Sequence, residues 1–324
     1  MISNFAYVKP GSVAEAIKAL GTKDARLLAG GTDLLGCMRD EVLQVKRVVS
    51  IGGLKELKGI SVKPDGGVKI GALTTIAEVA VDSTLAGKYA VLAQAAAEVA
   101  SPQLRNQGTI GGNLCQRPRC WYFRGDFHCA KKGGDNCYSV DGENQYHAIF
   151  GGAPCFAVHP SDAAVALVAL QAQLVIAGPA GSKTVKIEKF FVGPDKNIEK
   201  ENILLPGEIL TEIHLPPAGS QVRSSYRKLR ARRAWDFALT SVGIVLRLEG
   251  GKVGDARIVL GGVAPYPWRV RAAEKLLLGK KPDAALAAAA GLAAAEGANP
   301  MRDNAYKVEM VKGAVEESIL AFAS

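Results

Sequence analysis

The chain has 324 residues, 48% hydrophobic and 22% charged, with a formal net charge of +9 at neutral pH. That length and apolar fraction give two or three folded units rather than a disordered chain, and no apolar run reaches the roughly 18–20 residues of a membrane span. The positive charge would suit nucleic acid, but the basic residues are scattered apart from Arg227, Lys228, Arg230, Arg232 and Arg233, and no nucleic-acid motif accompanies them, so no such partner is expected.

Residues 1–58 read as a small α/β unit. Phe5 to Val8 is a strand candidate, and Ser12 caps a helix with Val13, Ala16, Ile17 and Leu20 on its apolar side. Arg26 to Ala29 is a second strand, running into Gly30-Gly31-Thr32-Asp33 and a helix that begins at Leu34; Val48 to Ile51 is a third. Paired glycines at a strand-to-helix turn leave backbone N–H groups open to phosphate oxygens. The stretch is neither G-x-G-x-x-G nor a P-loop, since no lysine follows.

Residues 59–217 form a second unit. Gly67 to Ala72 is a strand, Thr74 caps the next helix, and another helix runs from Tyr89 to Ala100. The stretch from Ser101 to Gly108 leads into a second glycine loop, Thr109-Ile110-Gly111-Gly112-Asn113. Two such cradles suit an extended ligand with a pyrophosphate. After a long loop come a helix from Ala163 to Leu170 and strands at 173–177, 183–187 and 209–215. Pro216-Pro217-Ala218-Gly219 marks the boundary of a third unit, residues 218–324. It holds a strand from Ser224 to Leu229, a hairpin of 241–248 with 256–263, and helices at 270–278, 284–296 and 305–322.

The loop at about 114–158 carries five of the six cysteines: Cys115, Cys120, Cys129, Cys137 and Cys155. A loop this long in a folded domain is functional or disordered, and clustered thiols argue for a bound metal centre. Disulfides need an oxidising compartment, and no signal peptide precedes the first strand, so a reducing, cytoplasmic setting is expected. Zinc favours thiols paired at x2 to x4, and only Cys115 and Cys120 stand that close. An iron–sulfur cluster also takes four thiolates and tolerates looser gaps, with Gly133, Gly134, Gly151 and Gly152 leaving room beside the sulfurs. Spacing alone does not choose among these readings.

Ala29-Gly30-Gly31-Thr32-Asp33, Leu104-Arg105-Asn106, the 109–113 loop, Ser161-Asp162 and Leu205-Pro206-Gly207-Glu208 stand in an order and at distances that identify a family. The chain resembles, over essentially its full length, the FAD-binding medium subunit of the molybdenum hydroxylases, the xanthine dehydrogenase and carbon monoxide dehydrogenase group. The resemblance implies an α+β fold of the vanillyl-alcohol oxidase type: two α+β subdomains clasping FAD, then a C-terminal domain with an antiparallel sheet and helices. It implies that Leu28, Ala29, Gly30, Gly31, Thr32, Asp33 and Leu34, with Thr109, Gly111, Gly112 and Asn113, hold the pyrophosphate and ribityl parts of FAD. Asp162 would be a polar contact nearby. Lys228, eight residues before Asp236-Phe237-Ala238, would be an ammonium that counters charge on a reduced flavin; the competing expectation is a surface lysine on a strand.

The cysteine loop is similar to the insertion in the corresponding subunit of 4-hydroxybenzoyl-CoA reductase and in some aldehyde oxidoreductases, which holds an additional 4Fe-4S cluster. On that pattern the ligands are Cys120, Cys129, Cys137 and Cys155. Cys37 and Cys115 are packed thiols, and His128, His147 and His159 are structural. The implied function is electron transfer in an oxidoreductase complex, with no catalytic acid or base in this chain. Substrate would turn over at a molybdopterin cofactor on a large partner subunit, and electrons would pass through the two 2Fe-2S clusters of a small partner to FAD. The extra cluster would be a port for a ferredoxin-like partner, docked on Arg117, Arg119, Arg124, Lys131 and Lys132. Substrate choice lies on the partner, which could also carry the complex to the periplasm. The rival readings are a stand-alone FAD oxidoreductase and a zinc-stapled binding module without redox role.

Overall fold

Three sheets organise the computed structural model, which describes residues 2–233 and 235–323. The first sheet is parallel, with β1 (Ala6–Val8), β2 (Ala25–Leu28) and β3 (Arg47–Ser50) in the order β1-β3-β2. Parallel neighbours need crossovers, supplied by α1 (Val13–Leu20) and α2 (Leu34–Arg39). Ser12 caps α1 by accepting from the Glu15 N–H. Ala16 and Leu20 then bury against Val49, Ile51 and Leu54.

The second sheet is antiparallel. Its strands are β4 (Ile60–Val62), β5 (Val68–Gly71), β6 (Gln173–Gly178), β7 (Gly181–Lys186) and β8 (Ile209–Leu215), in the order β4-β5-β8-β6-β7. Between β5 and β6 run α3 (Ile76–Val81), α4 (Ser83–Lys88), α5 (Ala90–Ala97), α6 (Pro102–Gln107), α7 (Ile110–Leu114), α8 (Trp121–Arg124) and α9 (Asp162–Ala169). Most of the cysteine loop lies between α8 and α9. All eight residues of α9 are buried, as expected of a helix that is apolar all round, and it packs between α5 and the third sheet.

That third sheet is antiparallel, with β9 (Val222–Leu229), β10 (Thr240–Glu249), β11 (Lys252–Gly261) and β12 (Trp268–Arg269) in the order β12-β11-β10-β9. The period of two sorts its side chains. Val242, Ile244, Leu246, Ile258 and Leu260 face the closing helices α10 (Arg271–Leu277), α11 (Ala284–Ala294) and α12 (Tyr306–Leu320), whereas Val245 and Val259 join the core around α9. No helix among the described residues is long and apolar enough to cross a membrane.

Some local expectations shift. Thr75, not Thr74, caps α3, in a capping box with Glu78; the Thr74 hydroxyl is buried and bonded to the backbone of Gly59. The stretches around 102–107 and 110–114 are short helices rather than loop, capped by Ser101 and Thr109, and Pro102 sits where proline is tolerated at a helix start. The short edge strands β4 and β12 carry too little alternation to be read from sequence.

Lys307, in the first turn of α12, is fully buried. Its Nζ donates to the carbonyls of Tyr146, His147 and Gly262 at 3.0, 3.1 and 2.8 Å, tying the cysteine loop to the C-terminal sheet. Burial pushes its ammonium from the ordinary 10.5 down to about 7. The unfolded chain therefore holds the extra proton between these values, and this lysine makes stability rise with pH across that window. Lys307→Met is expected to abolish the rise and, near pH 7, to cost about 2–4 kcal/mol through the unpaired carbonyls. Urea unfolding at pH 7 and pH 9 measures both effects.

Candidate functional site

A cavity of about 420 Å³ opens where β2 meets α2, beside α7, the start of α9 and the end of β9. It is lined by Ala29, Gly30, Gly31, Thr32, Asp33 and Leu34, by Thr109, Gly111, Gly112 and Asn113, and by Asp162 and Lys228. Leu28 is the one predicted cofactor residue outside this lining. Strand alternation turns it away from Leu27, into the cluster of Met38, Val45 and Val48. The two glycine turns touch: a Cβ on Gly30 would sit 1.8 Å from the Gln107 carbonyl oxygen, and Gly31 has φ +76, a conformation that favours glycine. The second turn is fixed by the Thr109 hydroxyl, which accepts from the Gly112 N–H, and by Ser161, which donates to the Asn113 side chain. The N–H groups of residues 110–113 in the second turn are bonded within the protein, so open backbone at the first turn, with a cation also lining the cavity, is what suits an elongated anionic dinucleotide.

The cation is Lys228, whose side chain is 1% exposed, so the surface-lysine expectation is overturned. Its Nζ lies 2.7 Å from Asp162 Oδ2 and donates also to the Glu98 carbonyl; the Tyr226 hydroxyl donates to Asp162 Oδ1 at 2.5 Å. Burial pushes the Asp162 carboxyl up, opposed by Lys228 and Tyr226, and its place in the first turn of α9 also favours its charge. Tyr226 is a site residue that the sequence reading missed. Its only signal was its position two residues before Lys228, which puts both on one face of β9.

Asp33 lines the cavity, yet its carboxylate is engaged by the cysteine loop. Arg124 Nη2 reaches Oδ1 at 2.6 Å, Arg119 at 3.0 Å, and the Arg117 N–H donates to Oδ2 at 2.8 Å. Glu201 acts likewise from the other side, pairing with Arg117 at 2.8 Å and Lys131 at 2.7 Å. Lys132 is half-buried and donates to the Gly125 carbonyl. The five cations expected to form a docking face for an acidic ferredoxin-like partner are thus folded inward as loop anchors, and that expectation is corrected. The buried Glu201 and the partly buried Asp33 attract these cations more strongly than water-screened partners would.

All six cysteines are unpaired. Cys37 and Cys115 are packed thiols, pushed up to about 11 and about 12 by burial. Cys120, Cys129, Cys137 and Cys155 instead line one small cavity, with Tyr122, Phe123, Ala130, Lys131, Tyr138 and Ala157. Among the described residues, no three His, Cys, Asp or Glu side chains converge closely enough to hold a single metal ion. Cys137 is brought down to about 5 by the Cys155 thiol, with further help from Ser139 and backbone N–H groups, whereas burial pushes Cys120 up to about 11. His147 Nε2 lies 3.3 Å from Cys120 Sγ. A further cavity of about 300 Å³ shares Arg119, Pro160, Asp162, Asp236 and Phe237 with the glycine-turn cavity, and Cys120 and Ala157 with the thiol cavity. The two sites are therefore contiguous.

Two expectations test this geometry. Gly30→Ala should force the glycine turns apart and reduce retained cofactor to below roughly one-tenth of the wild-type amount, the turn having no slack for a methyl group; absorbance of the purified protein measures it, with circular dichroism as the folding control. Asp33→Ala leaves two guanidinium groups without their anion and is expected to cost about 2–4 kcal/mol, with hydrogen exchange rising first in residues 115–132.

Residues 3–218 match the family described as FAD binding domain in molybdopterin dehydrogenase, and residues 224–321 match the CO dehydrogenase flavoprotein C-terminal domain. The chain is 38% identical over 280 residues to the aldehyde oxidoreductase FAD-binding subunit PaoB of Escherichia coli, covering 84% of this chain and 86% of that protein. It is 31% identical over 325 residues to the carbon monoxide dehydrogenase medium chain of Hydrogenophaga pseudoflava, with coverages of 98% and 96%. In three dimensions it is similar to a carbon monoxide dehydrogenase structure from Hydrogenophaga pseudoflava, with a TM-score of 0.79, 29% identity and full coverage of both chains. Quinoline 2-oxidoreductase from Pseudomonas putida gives a TM-score of 0.78 and 26% identity over 100% and 98% of the two chains. The α+β architecture, an FAD-binding portion followed by a C-terminal antiparallel-sheet domain, agrees with the expected fold class. The chain belongs to the molybdenum hydroxylase family, as one of its oxidoreductase FAD-binding medium subunits.

Proposed function

We propose that this chain is the electron-transfer subunit of a heteromeric molybdenum hydroxylase and that its cysteine loop holds an additional 4Fe-4S cluster. The observation that carries the cluster reading is the gathering of Cys120, Cys129, Cys137 and Cys155, dispersed over 36 residues of sequence, around one cavity. A single ion needs its ligands to meet at a point, whereas a four-iron cube keeps its four thiolates apart at its corners. The donor set present suits such a group: four thiols line one cavity, and the Ser139 hydroxyl lies 3.1 Å from Cys137 Sγ, a polar contact that favours thiolate sulfur.

FAD, when bound, exchanges electrons singly or in pairs and so joins one-electron carriers to two-electron chemistry. In this reading the N–H groups of the first glycine turn would bind its pyrophosphate, the second turn would wall the cavity with Asn113 oriented by Ser161, and the buried Lys228 ammonium, held by Asp162, would supply positive charge to the reduced cofactor. Substrate chemistry belongs to a large molybdopterin-binding subunit, and a small 2Fe-2S subunit delivers or accepts the electrons. The named relatives support this assembly: they are the medium chain or FAD-binding subunit of an aldehyde oxidoreductase and of a carbon monoxide dehydrogenase.

An anaerobic absorbance spectrum with flavin, iron, sulfide and zinc assays tests the reading. The expected result is one FAD and about four irons with four sulfides per chain. Zinc, or no metal, would remove the cluster and leave the flavoprotein; no flavin taken up from added FAD would overturn both. Lys228→Met is expected to weaken the reduced cofactor about tenfold relative to the oxidised one, a fall of about 30 mV in the two-electron potential, with iron content unchanged.

A further inference from the structure

The chain as a whole is strongly basic, but the outer face of the cysteine loop is not. Within residues 120–146 the cations Arg124 and Lys131 are paired inward and Lys132 is bonded to backbone. The charged side chains that this segment exposes are Asp126, Asp135, Asp141 and Glu143. Arg302 is the exposed cation at the edge of this face, donating to the Gly142 carbonyl, and its charge is paired with Asp303 at 2.8 Å. Between the carboxylates stand Phe127, Tyr138, Val140 and Tyr146, 40%, 40%, 51% and 48% exposed.

These aromatic side chains are one connected layer. Tyr122 packs on Phe127 at 5.0 Å and on Tyr138 at 6.0 Å, and Phe127 lies 5.3 Å from Tyr138. Tyr122 and Tyr138 also line the thiol cavity on their inner side. The layer therefore separates the four cysteines from solvent by one thickness of side chain. An exposed apolar patch with a net acidic rim has the composition of a transient protein interface: aromatic groups at the centre, charges at the edge that steer encounter.

We propose that this face is the docking surface of a small basic protein that carries one electron. The occupant follows from the charge of the rim, since an acidic carrier would meet four unpaired carboxylates. The inference rests on the cluster assigned above to the four cysteines. With the cluster in place, one electron would pass between it and the carrier across the Tyr122–Tyr138 layer, one being oxidised as the other is reduced with no bond formed or broken, so a two-electron turnover at the partner subunit would take two docking events.

The test uses the intact complex, with a basic c-type cytochrome and an acidic plant-type ferredoxin as probes and iron measured on the same preparation. Association of the cytochrome should fall roughly tenfold or more between low and physiological salt. The quadruple variant Asp126→Lys, Asp135→Lys, Asp141→Lys and Glu143→Lys should lose a similar factor at low salt, with flavin content unchanged. Equal association of wild type and variant, or preference of the wild type for ferredoxin, would overturn the proposal. Cytochrome bound by the isolated chain but not by the complex would also overturn it, assigning the face to a subunit contact. Salt-dependent binding without iron would sink the cluster reading while upholding the docking site; iron without such binding would do the reverse.

Discussion

The carboxylate of Asp33 holds together the two sites that matter in this molecule. It belongs by sequence to the first glycine turn, and its backbone neighbours line the cofactor cavity. Its two oxygens take a guanidinium from Arg119, a guanidinium from Arg124 and the N–H of Arg117, all from the cysteine loop. Charge-assisted hydrogen bonds are roughly twice as strong as neutral ones, and here three converge on one anion. The turn proposed to receive a pyrophosphate is thereby fixed to the loop that gathers the thiols. Glu201 repeats the device on the loop's other flank.

Buried charge is handled in a similar way elsewhere. Asp162 and Lys228 are paired where the N-terminus of α9 meets β9, with Tyr226 completing the carboxylate's hydrogen bonds. Removing one member would strand the other away from water, the costly case for a buried pair. Lys307 has only carbonyl partners among the described residues, and it fastens the end of the cysteine loop to the third sheet. The apolar α9 gives these groups a rigid reference, because all of its residues are packed.

The loop's two sides follow from this arrangement. Its cations satisfy carboxylates below it, so its outer surface is left with acidic and aromatic side chains. Net charge, a sum over the whole chain, carries no information about that partition. The inward cations compensate the carboxylates of Asp33 and Glu201, and the outward carboxylates present a field of opposite sign to the solvent.

Much was legible in order along the chain. The glycine turns, the strands at the period of two and the Ser12 cap are local properties, set by backbone sterics and neighbouring side chains. The motifs and the cysteine pattern likewise pointed to an FAD-binding subunit, and the family match agrees. Tertiary structure alone decided which way the charged side chains face. Arg119, Arg124 and Lys131 read as a basic surface because their anions, Asp33 and Glu201, lie roughly 70–90 residues away in sequence. Lys228 could equally have been solvated until the fold placed Asp162, from another element, against it. Periodicity and spacing report what a residue's chain neighbours impose, but an ion pair depends on distance in space, and that exists only once the chain has closed on itself.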